Sequence, residues 1–400
     1  MHNIRQINKD LYYLGVSDRK LALFENIYPI PRGVSYNSYL LTDDKTVLLD
    51  TVDVAVGGQF LENLKKALNG RQLDYMVVNH MEPDHCALIE DVVLRWPEVK
   101  IVTNAKAAGM IRQFFDFDLD SRLIQVAEGQ TLETGRHTLH FVMAPMVHWP
   151  EVMGTYDSLD KTLFSADAFG TFGALNGNIY ADEVNFDRDW LDDARRYLVN
   201  IVGKYGVQIQ ALLKKAAGLE INMICPLHGP IWRENLGYYI EKYDKWSRYE
   251  AEENGVLIVY GSVYGHTEVA ANVLASKLSE RGIKGIAMYD ASHTHVSELV
   301  SEAFKYSNIV VAAPTYNAEI YTPVENWLTD LKQHNLQNRK WSVIENGTWA
   351  ATCGKTMRTM IETMKNMTFV GDTLTVKSAV KQSQEETLNK LADDIVDSLK

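Results

Sequence analysis

The segment at residues 80–85 carries four side chains that can bind a metal: His80, Glu82, Asp84 and His85. Two imidazoles and two carboxylates this close together would repel one another or lie unpaired in a fold with nothing to bind, whereas a divalent cation satisfies all of them. The alternative is a charged surface loop with two incidental histidines. The density of ligand-type residues favours a metal site.

Three further candidate ligands each follow a predicted strand. They are His148, Asp167 and His228, after strands predicted at residues 139–143, 162–165 and 223–226. A single histidine after a strand is more often structural than a ligand. Several strands that each present such a residue at one end of a sheet, however, build a convergent site, so we expect these three to join the first cluster. The histidines without such a setting are interpreted as structural or exposed: His2, His137, His140, His293, His295 and His334.

Strands and helices of the first half must position these residues. An apolar run at 73–78 predicts a buried strand and residues 87–94 predict a helix, so the segment 80–85 is expected on the loop between them. Upstream, two strand-like runs at 35–41 and 46–50 flank a turn and predict a hairpin. The chain therefore begins as a mixture of helices and strands.

The second half alternates between strands and helices. Strands are predicted at 256–260, 285–289, 309–313, 341–344 and near Leu374, and helices at 267–281, 296–305, 323–333, 353–367 and up to Lys400. This alternation predicts a doubly wound parallel sheet. The charged and aromatic stretch before it predicts a helix that leads into a linker, so two domains are expected, at residues 1–250 and 251–400.

Three loops of the second half leave the carboxyl ends of strands, where such sheets bind ligands. The first opens a helix and offers hydroxyls and N–H groups to an anion, but it has no Lys or Arg and matches no dinucleotide or nucleoside-triphosphate fingerprint. A monophosphate fits this loop best, and an ordinary N-cap is an equal alternative for it alone. Aromatic residues of the other two loops favour a stacked planar ring. The candidate residues are Ser262, Val263, Tyr264, Gly265, His266, Thr267, Pro314, Thr315, Tyr316, Asn317, Asn346, Gly347, Thr348 and Trp349.

Composition excludes several classes of protein. A formal net charge of -12 argues against nucleic acid as a partner. The N-terminus lacks the apolar region of a signal peptide and no apolar run is long enough to span a bilayer, so a cytoplasmic location is expected. Cys86, Cys225 and Cys353 are too far apart for a rubredoxin-type or iron–sulfur site, and Cys86 and Cys225 are interpreted as buried fillers.

Together these motifs resemble the flavodiiron proteins, also called A-type flavoproteins, over essentially the whole chain. The matching pattern is His80-x-Glu82-x-Asp84-His85, then His148, Asp167 and His228, and finally Ser262-x-Tyr264-Gly265-x-Thr267. The resemblance implies an α/β chain with a metallo-β-lactamase-like αββα domain that carries two non-haem iron ions, followed by a flavodoxin-like doubly wound parallel sheet that binds FMN. The implied activity is reduction of dioxygen to water, of nitric oxide to nitrous oxide, or of both.

The resemblance also implies individual roles. One iron would be bound by His80, Glu82 and His148, the other by Asp84, His85 and His228, and Asp167 would bridge them. Hydrolytic members of the same fold usually have a histidine where this chain has Glu82. A carboxylate there makes the site harder and more anionic, which favours iron over zinc. The third flavin loop keeps Trp349 but lacks the glycine-rich continuation of many family members.

Partners follow from the same resemblance. No rubredoxin-type module follows the flavodoxin-like half before Lys400, so electrons are expected from an external donor such as a rubredoxin-like protein. A head-to-tail homodimer, or a dimer of dimers, is implied, with the FMN of one copy beside the diiron centre of the other. No residue marks a preference between the two gases, and dioxygen is expected as at least one substrate because the site needs no extra feature to take it.

Two other functions remain open on the sequence. A zinc hydrolase of the metallo-β-lactamase fold fused to a flavodoxin module is the first, and Glu82 argues against it. An FMN electron carrier whose first domain binds one metal for stability is the second, and seven candidate ligands exceed what such a structural site requires. The metal content of the purified protein would separate the three functions.

Overall fold

The computed structural model describes residues 1–400 and divides into two compact units, Met1–Asp244 and Lys245–Lys400. The predicted boundary lies a few residues later, at 250. No helix is long and apolar enough to cross a membrane, and the cytoplasmic location stays a prediction. All three cysteines are buried and unpaired, which agrees with the interpretation of Cys86 and Cys225 as fillers.

The first unit contains two mixed sheets. The strands of the larger sheet, in spatial order, are Arg5–Gln6, Leu11–Tyr13, Tyr39–Thr42, Thr46–Leu49, Tyr75–Val77, Lys100–Asn104 and Leu123–Val126. Those of the smaller sheet are Thr131–Glu133, Thr138–Met143, Met153–Asp157, Thr162–Phe164 and Met223–Cys225. Val16–Asp18 pairs with Val34–Tyr36, and Leu23–Phe24 pairs with Tyr28–Pro29. The predicted hairpin is confirmed, since Tyr39–Thr42 and Thr46–Leu49 pair antiparallel.

Short helices connect these strands. They are the α-helices Gly57–Leu68, Pro83–Cys86, Ile89–Arg95, Ala105–Phe114, Phe186–Asp189, Leu191–Tyr197, Gly206–Ala216 and Leu236–Ser247, the 3-10 turns Val54–Val56, Ala181–Glu183 and Gly203–Tyr205, and the π-helical turn Leu198–Val202. Gly57–Leu68 buries Phe60, Leu64 and Leu68, the spacing of one helical face. The two sheets share a core, because the rings of Tyr39 and Phe164 lie 5.3 Å apart.

Three predictions about the first unit are wrong in detail. The run at 35–41 is not one strand. It is interrupted at Asn37, whose backbone N–H donates to Leu227 O at 2.8 Å and whose side chain donates to Pro226 O and Gly229 O at 2.9 Å. These hydrogen bonds take the place of bonds to a neighbouring strand, and they hold the loop around His228. Likewise Asp84 and His85 lie in the short helix Pro83–Cys86 rather than on a loop, because proline at the first helical position starts a turn. The predicted helix at 87–94 begins only at Ile89.

The second unit is the predicted doubly wound sheet, and the fold class is confirmed. Its parallel strands, in spatial order, are Ile286–Asp290, Glu253–Tyr260, Tyr306–Tyr316 and Lys340–Asn346, with Thr368–Phe369 and Leu374–Val376 both paired to the last. Glu319–Ile320 adds an antiparallel hairpin to Tyr306–Tyr316. The helices are His266–Glu280, Val296–Lys305, Thr322–Gln333, Cys353–Glu362, Glu385–Ser398 and the 3-10 turn Gln382–Gln384. The helix predicted at 353–367 ends at Glu362, and the one predicted to reach Lys400 ends at Ser398.

A buried ion-pair network ties the larger sheet to the smaller one. His137 is fully buried, and its Nδ1 lies 2.8 Å from Asp157 Oδ2, while its Nε2 lies 3.4 Å from Asp10 Oδ2. Burial on its own would lower the pKa of His137, but the hydrogen bonds to Asp157 and Asp10 raise it overall. His137 is therefore structural, which agrees with its interpretation from the sequence.

We expect this network to make stability depend on pH. A histidine whose folded pKa is raised contributes stability that is fully present below its unfolded pKa, about 6.5, and is lost as the pH rises through the folded value. Asp157→Asn should lower Tm by about 4–8 °C at pH 6 and by less at pH 9. Calorimetry of both proteins at the two pH values measures this. Asp120→Asn, at an ion pair whose carboxylate is 80% exposed, is the control and should move Tm little. An effect of Asp157→Asn that is equal at both pH values would contradict the role of His137.

Candidate functional site

All seven candidate ligands converge in the first unit. His80 follows the strand Tyr75–Val77, Glu82 precedes the helix Pro83–Cys86, and Asp84 and His85 lie within that helix. His148, Asp167 and His228 come from loops that leave three strands of the smaller sheet, as predicted. None of the seven is more than 8% exposed, so the strand ends of both sheets supply one buried cluster.

The seven side chains form two groups around one carboxylate. The first group is His80, Glu82, His148 and Asp167, and the second is Asp84, His85 and His228. Within each group the ligand atoms all lie within 4.8 Å of one another.

Asp167 faces both groups. Its Oδ2 lies 3.1 Å from His148 Nε2 and 3.3 Å from His80 Nε2. Its Oδ1 lies 3.1 Å from His85 Nε2 and 3.7 Å from His228 Nε2. One carboxylate therefore offers an oxygen atom to each group.

The donor atoms fit divalent cations. His80 Nε2, both carboxylate oxygens of Asp84 and Asp167 Oδ1 are buried and have no hydrogen-bond partner. His85 Nε2 and His228 Nε2 face each other at 3.0 Å. Buried polar atoms without partners are costly, and a cation in each group would satisfy them. Imidazole nitrogens and carboxylate oxygens are the donors that iron and zinc accept.

Burial and neighbouring charges shift the pKa values of the cluster residues strongly. Burial raises the pKa of Asp84 to about 8. Burial on its own would raise the pKa of Asp167, but His80 and His85 hold it well below its usual range. Burial would lower the pKa of His148, yet hydrogen bonds to Asp167 and Glu82 raise it to about 9. Protons and a cation therefore compete for the same atoms, so cation binding releases protons.

Contacts behind the ligands orient the rings. His228 Nδ1 donates to Ser35 O at 2.8 Å, and His80 Nδ1 lies 2.8 Å from Glu151 Oε1. Each contact turns the Nε2 atom of its ring toward the cluster. Ser35 and Glu151 were not predicted as site residues. The only feature of the sequence that could have pointed to Glu151 is its position, as an acidic residue shortly after His148 in an otherwise apolar stretch.

A second site lies in the other unit, at the carboxyl ends of its strands. It is a cavity of 550 Å³ that is lined by thirteen of the fourteen predicted residues. The exception is Gly265, which does not line the cavity; it takes a positive φ of 87° at the start of the helix His266–Glu280, and its N–H donates to Ser262 Oγ at 3.0 Å. Four lining residues were not predicted: Ala318, Ala350, Thr352 and Ser378.

Hydrogen bonds hold the three loops of this cavity together. Thr315 Oγ1 accepts from the backbone N–H groups of Thr352, at 2.9 Å, and Cys353, at 3.2 Å. Asn346 Nδ2 donates to Thr267 Oγ1 at 3.3 Å and to Ser378 O at 3.0 Å. The first, second and third loops and the Ser378 segment therefore form one connected frame.

The rim of the cavity carries exposed aromatic rings. Trp349 is 95% exposed and Tyr264 is 89% exposed, and Tyr316 is also exposed. Large exposed aromatic side chains beside a cavity mark a binding site for a planar ligand. No lining residue is Lys or Arg, so hydroxyls and N–H groups must bind any phosphate, which fits one phosphate at the helix start.

Family models match both units. Residues 34–229 match the ODP family beta lactamase, and residues 258–389 match Flavodoxin. An uncharacterized protein of Methanocaldococcus jannaschii is 32% identical over 325 residues, which are 81% of each chain. An anaerobic nitric oxide reductase flavorubredoxin of Escherichia coli is 27% identical over 349 residues, which are 86% of this chain and 72% of the relative.

Solved structures match over the whole length. The rubredoxin oxygen:oxidoreductase of Desulfovibrio gigas superposes with a TM-score of 0.91 at 26% identity and covers 99% of this chain and 98% of its own. A flavodiiron protein from Giardia intestinalis gives 0.89 at 22% identity, with 99% and 97% covered. At that identity the second match shows the fold alone.

Proposed function

This chain belongs to the flavodiiron protein family, and on that premise we propose that it is an oxidoreductase that reduces dioxygen to water, nitric oxide to nitrous oxide, or both. The observation that carries the proposal is the pair of buried donor groups that share Asp167. When bound, two irons and FMN supply the electrons for this reduction. The Escherichia coli relative is named a nitric oxide reductase and the Desulfovibrio gigas relative an oxygen oxidoreductase, so each name supports one of the two gases.

We assign the ligands as the two groups suggest. His80, Glu82 and His148 bind the first iron, and Asp84, His85 and His228 bind the second, with Asp167 shared. The separation of the donor atoms into these sets supports this assignment. Glu82 supports iron rather than zinc, because its buried carboxylate adds a hard, anionic donor to the first group.

Two buried apolar rings lie beside the second group of candidate ligands. Phe24 and Phe172 are both buried, and their centroids lie 5.4 Å apart. The rings of Phe24 and His228 form a T-shaped pair, with centroids 5.5 Å apart. A neutral diatomic gas can move into such apolar surroundings at little cost in free energy, whereas bulk water cannot. Dioxygen is the gas that we propose as at least one substrate.

We assign the cavity of the second unit to FMN. Its hydroxyl-rich loop around Ser262 suits one terminal phosphate, and Trp349 and Tyr316 suit the flat ring system. Electrons then come from an external donor such as a rubredoxin-like protein. We also propose a head-to-tail homodimer, in which the FMN of one copy lies beside the irons of the other. The family resemblance supports this arrangement.

The chromophore should be FMN rather than FAD. No lining residue is a Lys or Arg that could neutralise a pyrophosphate, and the chain has no pyrophosphate fingerprint. Acid release of the chromophore followed by chromatography identifies it, with authentic FMN and FAD as standards. Recovery of FAD would overturn the assignment of the phosphate loop.

Metal analysis of the purified protein tests the proposed function against its alternatives. We expect about two irons per chain, as a two-metal site requires. Zinc in place of iron would support a hydrolase of the same fold, and a single metal would support an electron carrier with a structural ion. Either of those results would overturn the proposal.

A further inference from the structure

The carboxylate of Glu151 lies behind the ring of His80, on the side away from the other candidate ligands. Glu151 is 1% exposed, and its Oε1 lies 2.8 Å from His80 Nδ1. We infer that Glu151 is a positioning residue that keeps the His80 proton on Nδ1 and thereby presents Nε2 to the first metal. This inference rests on the proposed function, because it takes His80 as a metal ligand.

Glu151 is held in place through both its carboxylate and its backbone. Its Oε1 also accepts the backbone N–H of Met81 at 2.9 Å, which ties Glu151 to the segment that carries His80. At the backbone of Glu151, Asn104 Nδ2 donates to the carbonyl oxygen at 2.6 Å, while Asn104 Oδ1 caps the helix Ala105–Phe114. Glu151 is therefore fixed between the first ligand segment and a helix start, and its position does not depend on a mobile surface.

The two histidines of the second group have different support. His228 Nδ1 donates to a neutral carbonyl, that of Ser35. His85 Nδ1 is buried and has no hydrogen-bond partner. Glu151 thus makes the two metal sites unequal, since a carboxylate behind an imidazole makes that ring a stronger donor than a carbonyl does.

The second carboxylate oxygen of Glu151 is consistent with the same role. Glu151 Oε2 is buried and has no hydrogen-bond partner. A buried negative charge needs a nearby positive one, and a divalent cation on the far side of the His80 ring would provide it. Glu151 therefore adds to the affinity of the first site for its metal without touching that metal.

Anaerobic titration of metal-free full-length protein with Fe²⁺ tests the inference. Glu151→Gln removes the charge and keeps the length of the side chain. We expect it to weaken Fe²⁺ binding at one of the two sites by about 10- to 100-fold and to leave the other site and FMN retention unchanged. Glu151→Asp, which restores the charge on a shorter stem, should recover part of the lost affinity.

Asp157→Asn is the matched control, because the His137–Asp157 pair has the same 2.8 Å contact at a buried histidine away from the cluster. It should lower Tm and leave both Fe²⁺ affinities unchanged. Wild-type affinity at both sites of Glu151→Gln would overturn the inference. Equal loss at both sites, together with a fall in Tm of the metal-free protein like that of the control, would overturn it as well, because it would show a merely structural role. Failure of the wild-type protein to bind about two Fe²⁺ would instead overturn the proposed function.

Discussion

Asp167→Ala should remove both metals and lower the consumption of gas by more than about 100-fold. Loss of a residue behind a ligand already costs about 10- to 100-fold in affinity or activity, and Asp167 offers one oxygen to each donor group. Without its charge, His80, His85 and His148 also lose a close anionic partner. Both sites should therefore fail together.

Iron content and gas turnover of the purified variant measure this effect. Asp120→Ala is the control, since this carboxylate is 80% exposed, pairs with Arg112 and lies in no group of candidate metal ligands. It should keep both irons and wild-type turnover. If Asp167→Ala kept two irons and full activity, Asp167 would not be shared between the metals.

Glu82→His should change which metal the protein takes. The buried Glu82 carboxylate lies 3.0 Å from His148 Nε2 and 3.4 Å from His80 Nε2, so it belongs to the first donor group. An imidazole in its place removes a hard anionic donor and adds a softer neutral one. We expect the ratio of bound iron to bound zinc to fall by about 10-fold or more when cells are grown with both metals.

Elemental analysis of the purified variant gives the ratio. Glu133→His, at an exposed carboxylate that accepts from Thr138, is the control and should keep the wild-type ratio. An unchanged ratio in Glu82→His would show that Glu82 does not bind metal.

Much of this structure could be predicted from local patterns. The alternation of apolar runs with helical segments predicted the parallel sheet of the second unit, because each element there is continuous and nearly regular. The positions of His148, Asp167 and His228 after three strands predicted that they meet, because strand ends at one edge of a sheet lie together. In these cases local sequence and overall fold agree.

Other features depend on contacts between distant segments. His80 and Glu151 are 71 positions apart, and no spacing connects them. Asn37 breaks a strand-like run because its partners are Pro226 and Gly229, near the other end of the first unit. Ser378 reaches the flavin cavity through Asn346, 32 positions earlier. Tertiary hydrogen bonds decide these features, and the local sequence does not contain them.

Gas consumption by the reduced protein tests the proposed reaction most directly. Full-length protein that holds iron and FMN is reduced anaerobically and then mixed with dioxygen or nitric oxide at matched concentration, with Asp167→Ala in parallel. We expect rapid consumption of at least one gas, reoxidation of the flavin, and little consumption by the variant. Rapid consumption of nitric oxide with negligible consumption of dioxygen would overturn dioxygen as a substrate and leave the metal and flavin assignments intact. Iron- and FMN-loaded wild-type protein that consumed neither gas would contradict the proposed function.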